Sequence, residues 1–207
     1  KPSIAELLLR LYDPSLGSIR LGGVDLKTLP VDFIRKQIAY VPQDVFLFSE
    51  TIEDNIAFGI ENQDPQLVRK AAEYASVAAE IEEFPDSYKS ILGERGVNVS
   101  GGQKQRISLA RAFIRDSPII LLDDCLSAVD SQTEQRIMEG FESYLSGKTV
   151  ILITQRLKQT VYMDNILVLE RGKLVQNGNF ETLVKEKGLF SQLYEIERKA
   201  ESNIQEN

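Results

Sequence analysis

Ser100, Gly101, Gly102 and Gln103 stand together at the head of an apolar helical run, Ile107–Ile114, and that combination suits an anion. The first N–H groups of a helix have no intrahelical acceptor, and with the positive end of the helix dipole behind them they make an anion site. Gly101 and Gly102 carry no Cβ, so a phosphate can come close to the backbone. Ser100 either caps the helix or donates to a phosphate oxygen, and the sequence leaves both open. About twenty residues further on, the wholly apolar Ile119–Leu122 ends in Asp123 and Asp124. A run of that kind fits a buried parallel strand, and ligands sit at the carboxyl edge where the two acids emerge. Adjacent carboxylates repel unless a cation holds them, and Mg²⁺ carried by a nucleoside triphosphate is the usual reason.

The elements that must position these groups follow from the pattern. Lys1–Tyr12 places Ile4, Leu7, Leu8 and Leu11 on one helical face before Asp13-Pro14. Ser18–Leu26 offers two short strands around Gly22-Gly23, Val31–Lys36 a short helix, and Ile38–Val41 a buried strand ending at Pro42-Gln43. Asp64-Pro65 opens a helix by an N-cap and a first-turn proline, and Val77–Phe84 is a second. After the acidic pair, Gln132–Leu145 reads as a helix with Asp130 as a candidate N-cap, and Thr149–Thr154 as a strand. Strands at 167–169 and 174–175 and helices at 180–186 and 190–199 close the chain, with the last polar residues frayed.

Composition narrows the chemistry. The 207 residues allow one sizeable core, and the net charge of −7 argues against a large nucleic-acid footprint. No histidine is present, which removes imidazole acid/base chemistry and histidine metal ligation. The single cysteine, Cys125, excludes an internal disulfide and fits a reducing compartment. No apolar run approaches the roughly 18 residues that cross a bilayer.

Ser-Gly-Gly-Gln, followed by four apolar residues and an acidic pair, resembles the nucleotide-binding domain of ABC transporters, with its signature motif and Walker B strand. The resemblance covers nearly the whole chain and implies an α/β fold: a P-loop NTPase (RecA-like), mainly parallel sheet core with an inserted α-helical subdomain. It implies a core of residues 1–43 and 117–207, and a helical subdomain of 44–116 that carries the signature. It also implies ATP and Mg²⁺ as ligands. By the same resemblance Lys1, Pro2 and Ser3 lie at the nucleotide, with Lys1 as the phosphate-binding lysine. Pro2 then stands where the family has a Mg²⁺-binding hydroxyl, and the glycine-rich loop ahead of Lys1 is absent from the sequence. Asp123 and Gln43 are implied at the metal, and Gln43 also at the attacking water. Asp124 stands where the family carries glutamate, and Gln155 where it carries a histidine that senses the γ-phosphate.

Two loops look like contact loops of the family. Ser127-Ala128-Val129-Asp130 matches the loop that crosses to the other half of a dimer, and Gly93-Glu94-Arg95-Gly96 the loop that ABC exporters set against coupling helices. Phe46, Leu47 and Phe48 read either as core or as a socket for such a helix.

Hydrolysis needs a held cation, a carboxylate to orient water, and donors around the γ-phosphate. Pro2 offers no hydroxyl, Asp124 is one methylene short of glutamate, and Gln155 lacks a protonatable ring. A retreat of roughly 1 Å can cost on the order of a hundredfold in rate. An intact signature beside such a site resembles the degenerate-site member of a heterodimeric ABC exporter. The expected partners are a second, non-identical nucleotide-binding domain and transmembrane domains, at the cytoplasmic face of the cell membrane. Two rivals are an ordinary competent ATPase subunit, homodimeric or importing, and a non-transport ABC-type nucleotide-binding regulator.

Overall fold

Three short apolar runs meet as parallel strands, and everything at the acidic edge follows from their register. The computed structural model of the chain describes residues 2–205 apart from 62–63, 94–95 and 97, with the side chains of 2–3, 142–143 and 201–205 left aside. Strands β3 (Ile38–Val41), β4 (Ile119–Asp123) and β5 (Thr149–Ile153) form one sheet in the order β3-β4-β5. Val41 lies opposite Leu122 and Leu122 opposite Leu152, so all three strands end at one edge. Ile38 and Leu121 face the layer that includes Ala5 and Ile34, with Tyr40, Ile119, Ile151 and Ile153 packed against it. Ala39, Val41, Ile120 and Leu122 alternate with them and are buried on the other face.

Helix α1 (Pro2–Leu8) packs on β4 and α2 (Val31–Gln37) on β3. The expected run to Tyr12 stops early because Arg10 takes φ +50°. The N–H of Leu11 bonds the carbonyl of Glu6 and that of Arg10 the carbonyl of Leu7, a Schellman closure built without glycine. Between α1 and α2, β1 (Arg20–Leu21) and β2 (Val24–Asp25) pair as a two-stranded antiparallel ribbon.

The segment between β3 and β4 is helical. Its members are α3 (Ile52–Ile56), which the sequence reading missed, α4 (Pro65–Tyr74), α5 (Ala78–Glu82) and α6 (Gly101–Ile114). Helix α6 touches α3, α4 and β3, tying this segment to the sheet. Asp64 caps α4 and Pro65 fills its first turn, as the sequence predicts. Helix α7 (Ser131–Tyr144) follows the acidic edge.

The chain divides into two compact units, Lys1–Ile153 and Thr154–Asn207. In the second, β6 (Ile166–Glu170) and β7 (Lys173–Gly178) pair antiparallel with a register shift between Val168 and Leu169. Helix α8 (Phe180–Lys185) and helix α9 (Leu189–Gln205) bury Leu183 and Phe190 beside Ile166. The end expected to fray is helical to Gln205, and an i,i+3 pair of Glu195 with Arg198 stands on its exposed face.

Candidate functional site

Helix α6 begins with a complete capping box. The N–H of Gln103 donates to the Ser100 hydroxyl oxygen at 3.2 Å, and the Gln103 side-chain oxygen accepts from the Ser100 N–H at 2.8 Å. Ser100 is therefore a cap, and its hydroxyl proton is not used by that bond. The N–H groups of Gly101 and Gly102 have no protein acceptor among the described residues. They stand at the positive end of a fourteen-residue helix, with Gly101 exposed and Gly102 half-buried against Ala128.

Two sets of contacts hold this end in place. On one side Gln103 donates to Glu80 at 2.9 Å, and the buried Arg106 grips both Glu80 oxygens, at 2.5 and 2.9 Å. Arg106 also donates to the carbonyls of Ser76 and Gly102. Its guanidinium holds the Glu80 carboxyl below the usual glutamate range. On the other side the buried Gln105 donates to the Ser127 hydroxyl at 2.9 Å and accepts from the Ala128 N–H at 2.8 Å. Sequence reasoning missed Gln105, Arg106 and Glu80. A signal existed for the first two, because Gln105 and Arg106 sit one turn beyond Gly101 and Gly102 and interrupt an apolar face; Glu80, in another helix, had none.

Asp123 closes β4 opposite Ile153 and is buried at 5% exposure. The Tyr40 hydroxyl bonds it from β3, and burial, then the Asp123 and Glu6 charges, raise the Tyr40 phenol above its ordinary value. Asp124 continues the ladder by donating its N–H to Ile153 at 2.8 Å, yet its φ is +48°. Aspartate is among the residues that enter this left-handed region most readily, so the shorter acid suits the backbone here. Gln43 is exposed, two residues beyond Val41 on the same strand-end edge.

The turn after Asp124 buries Cys125, Leu126 and Val129 and leaves Ser127 and Ala128 exposed between them. Asp130 caps α7, accepting from the Thr133 N–H at 2.9 Å, and that bond holds its carboxyl below the usual range. Gly93 donates to the Asn98 side chain, and Gly96 takes φ +67°; Glu94 and Arg95 lie outside the described residues, as does Lys1. Pro2 and Ser3 form the first turn of α1. Gln155 belongs to the second unit and is exposed, just after Thr154, whose hydroxyl accepts from the Arg156 N–H.

The aromatic run Phe46-Leu47-Phe48 splits between its two readings. Leu47 is fully buried, while Phe46 is half exposed. Phe48 stacks on Phe58 and bounds an open groove of about 450 Å³ with Glu50, Asp54 and Ile60. Arg111 packs over both rings and donates to the carbonyls of Asn55 and Phe46; burial pulls its guanidinium down to about 10.

These donors fit a Mg²⁺-bound nucleotide. No cluster of three acidic or sulfur ligands exists among the described residues, and Mg²⁺ takes one or two carboxylates and completes its shell with phosphates and water. Asp123 at the end of β4 is a carboxylate of that kind, and the Gly101–Gly102 end carries N–H donors of the kind a phosphate takes.

The sequence profile of the family described as ABC transporter matches residues 1–127. The chain is 43% identical over 195 residues to an uncharacterized ABC transporter ATP-binding protein, YfiB, of Bacillus subtilis, covering 94% of this chain and 34% of that protein. It is 38% identical over 198 residues to an ATP-dependent lipid A-core flippase of Legionella pneumophila, covering 96% of the chain and 34% of the flippase. The structure of a bacterial Atm1-family ABC exporter with ATP bound superposes with a TM-score of 0.92 at 38% identity, covering 97% of this chain and 35% of that one. The chain thus spans about a third of the length of the proteins it matches. A family profile matched over more than half of its residues, together with a backbone shared nearly throughout, shows that the chain belongs to the ABC transporter family, as an ATP-binding domain with the P-loop NTPase fold.

Proposed function

We propose that this chain is the ATP-binding domain of an ABC exporter, which joins a second such domain head to tail when ATP binds and couples binding and hydrolysis to export through transmembrane domains. Its own acidic site is the impaired one, and its signature completes the site of a non-identical partner. The observation that carries this reading is a contrast within one chain. The signature end is capped, gripped from two sides and open at Gly101. The acidic edge instead carries Asp124, a short acid on a left-handed backbone. Similarity to an Atm1-family exporter and to a lipid A-core flippase supports the export direction.

In this reading residues 1–43 and 117–207 make the core and 44–116 the helical subdomain. Asp123 and Gln43 hold Mg²⁺; Lys1 and Ser3 reach the nucleotide, Pro2 marks the missing hydroxyl, and Gln155 replaces the γ-phosphate sensor. Bound Mg²⁺-ATP supplies the phosphoryl group and the cation that offsets its charge. Asp124 and Gln43 orient water, and Ser100, Gly101, Gly102 and Gln103 present donors to the partner's nucleotide. Ser127–Asp130 crosses to the partner domain. The groove beside Phe48 and Phe58, with the loop of Gly93, Glu94, Arg95 and Gly96, receives a segment of the membrane domain. No helix among the described residues is long and apolar enough to cross a membrane, so such a segment comes from another part of the transporter. The domain then works at the cytoplasmic face of the membrane.

The test is ATP turnover by the full-length protein purified without a partner subunit. Slow phosphate release that Asp124→Glu fails to raise to transporter-level rates is the expected result. A competent rate in the unsubstituted protein contradicts the impaired-site reading and favours an ordinary homodimeric ATPase.

A further inference from the structure

The start of α6 and the turn after the acidic pair are joined by one side chain. Gln105 is 6% exposed, and both ends of its amide are spent on the exposed tip of that turn: the nitrogen on the Ser127 hydroxyl, the oxygen on the Ala128 N–H. The backbones also lie close, for a Cβ added to Gly102 would stand 2.9 Å from the Ala128 carbonyl oxygen. Two residues at the solvent-facing tip of a turn would ordinarily be the most mobile part of it. Here the tip is bonded to a buried amide on a helix, where a hydrogen bond is stronger than in water and an unpaired partner is costly. The turn reaches back as well, through the Ser127 N–H to the Asp124 carbonyl at 3.4 Å.

We infer that Gln105 is a positioning residue: its amide makes the signature end of α6 and the Ser127–Ala128 tip one rigid body, so that the two surfaces offered to the partner domain arrive in a fixed relation. This rests on the head-to-tail reading given above. Gln105 touches no substrate and acts only through what it holds. Its consequence for the reaction is entropic, since a turn that is already ordered does not have to be ordered when the dimer closes.

The experiment uses the full-length protein in its assembled transporter, with Gln105→Met, which keeps length and burial but loses both bonds, and Gln105→Glu, which keeps an oxygen for the Ala128 N–H. Hydrogen exchange is followed by mass spectrometry on peptides covering residues 124–130, α6 and β4, and ATP turnover is measured alongside. In Gln105→Met the 124–130 peptide is expected to exchange about tenfold faster with α6 and β4 unchanged. The kcat is expected to fall about tenfold while KM for ATP stays within about twofold. Gln105→Glu should recover most of the exchange protection and of kcat. Exchange at 124–130 that matches the unsubstituted protein overturns the inference. So does faster exchange spread equally through α6 and β4, which marks a merely structural residue, and so does a loosened turn with unaltered kcat. Absent turnover in the unsubstituted transporter would instead overturn the functional reading, and the exchange pattern reports on the Gln105 tie independently of it.

Discussion

Gly102 and Ala128 approach so closely that a single methyl group on the glycine would stand 2.9 Å from the alanine carbonyl oxygen, whereas the same addition at Gly101 meets only the Ala128 Cβ at 3.4 Å. The two glycines are thus required for different reasons. Gly102 lets the helix pack against a backbone, and Gly101 stays open to solvent.

Gly102→Ala should therefore cost roughly 1–3 kcal/mol of stability, because backbone must shift to relieve the contact. Gly101→Ala should stay within about 0.5 kcal/mol. Urea unfolding of the two variants checks this, and equal midpoints would contradict it.

Glu80 gives a pH signature. Its carboxyl is held below the usual range by Arg106, so the pair stabilises fully above the unfolded glutamate value and the contribution is lost as pH falls through the lowered folded value. Glu80→Gln should cost roughly 1–3 kcal/mol near neutral pH, since Arg106 stays buried without its carboxylate. The gap between variant and parent should close in acid, below about pH 4. Urea midpoints measured from pH 7 downward test it; a gap that is constant with pH would show that charge is not the cause.

Asn55 is fully buried and staples the Phe48 loop, accepting from the Phe48 N–H at 2.8 Å and donating to the Phe48 and Thr51 carbonyls at 3.0 Å. Its oxygen also accepts from Arg111. Asn55→Ala should destabilise by roughly 2–4 kcal/mol through the polar groups it strands. A thermal melt within a degree of the parent would contradict this.

Burial pushes the Cys125 thiol up to about 12, so little thiolate exists at pH 8 in the folded protein. Maleimide labelling should be slow when folded and complete only in denaturant. Rapid labelling of the native protein would mean that the turn after Asp124 opens freely.

The strands that carry the acids were legible because each is a short apolar run: Ile38–Val41 and Ile119–Asp123 fall where the sequence puts them. The signature helix was legible from Ser100 and its glycines. What stayed hidden depends on pairs far apart in sequence or on unexpected backbone. Arg10 and Ser76 end helices at φ +50° and +53° where glycine is the usual sign. Glu80 meets Arg106 across 26 residues and Gln105 meets Ser127 across 22, and no local pattern announces either. Helix α9 runs to Gln205, past the 190–199 stretch in which the sequence placed it.

On the proposed reading, this chain serves the reaction through its signature more than through its own acids. The measurement is steady-state ATPase of the assembled full-length transporter carrying Gly101→Asp or, separately, Asp124→Asn in this chain. Gly101→Asp places a charge at the open helix end, where a phosphate would otherwise meet free N–H groups, and should lower kcat by about a hundredfold or more. Asp124→Asn should change it by less than about threefold, because it alters only the slow site. If Asp124→Asn abolishes turnover while Gly101→Asp leaves it intact, this chain houses the working site and its acids are not impaired.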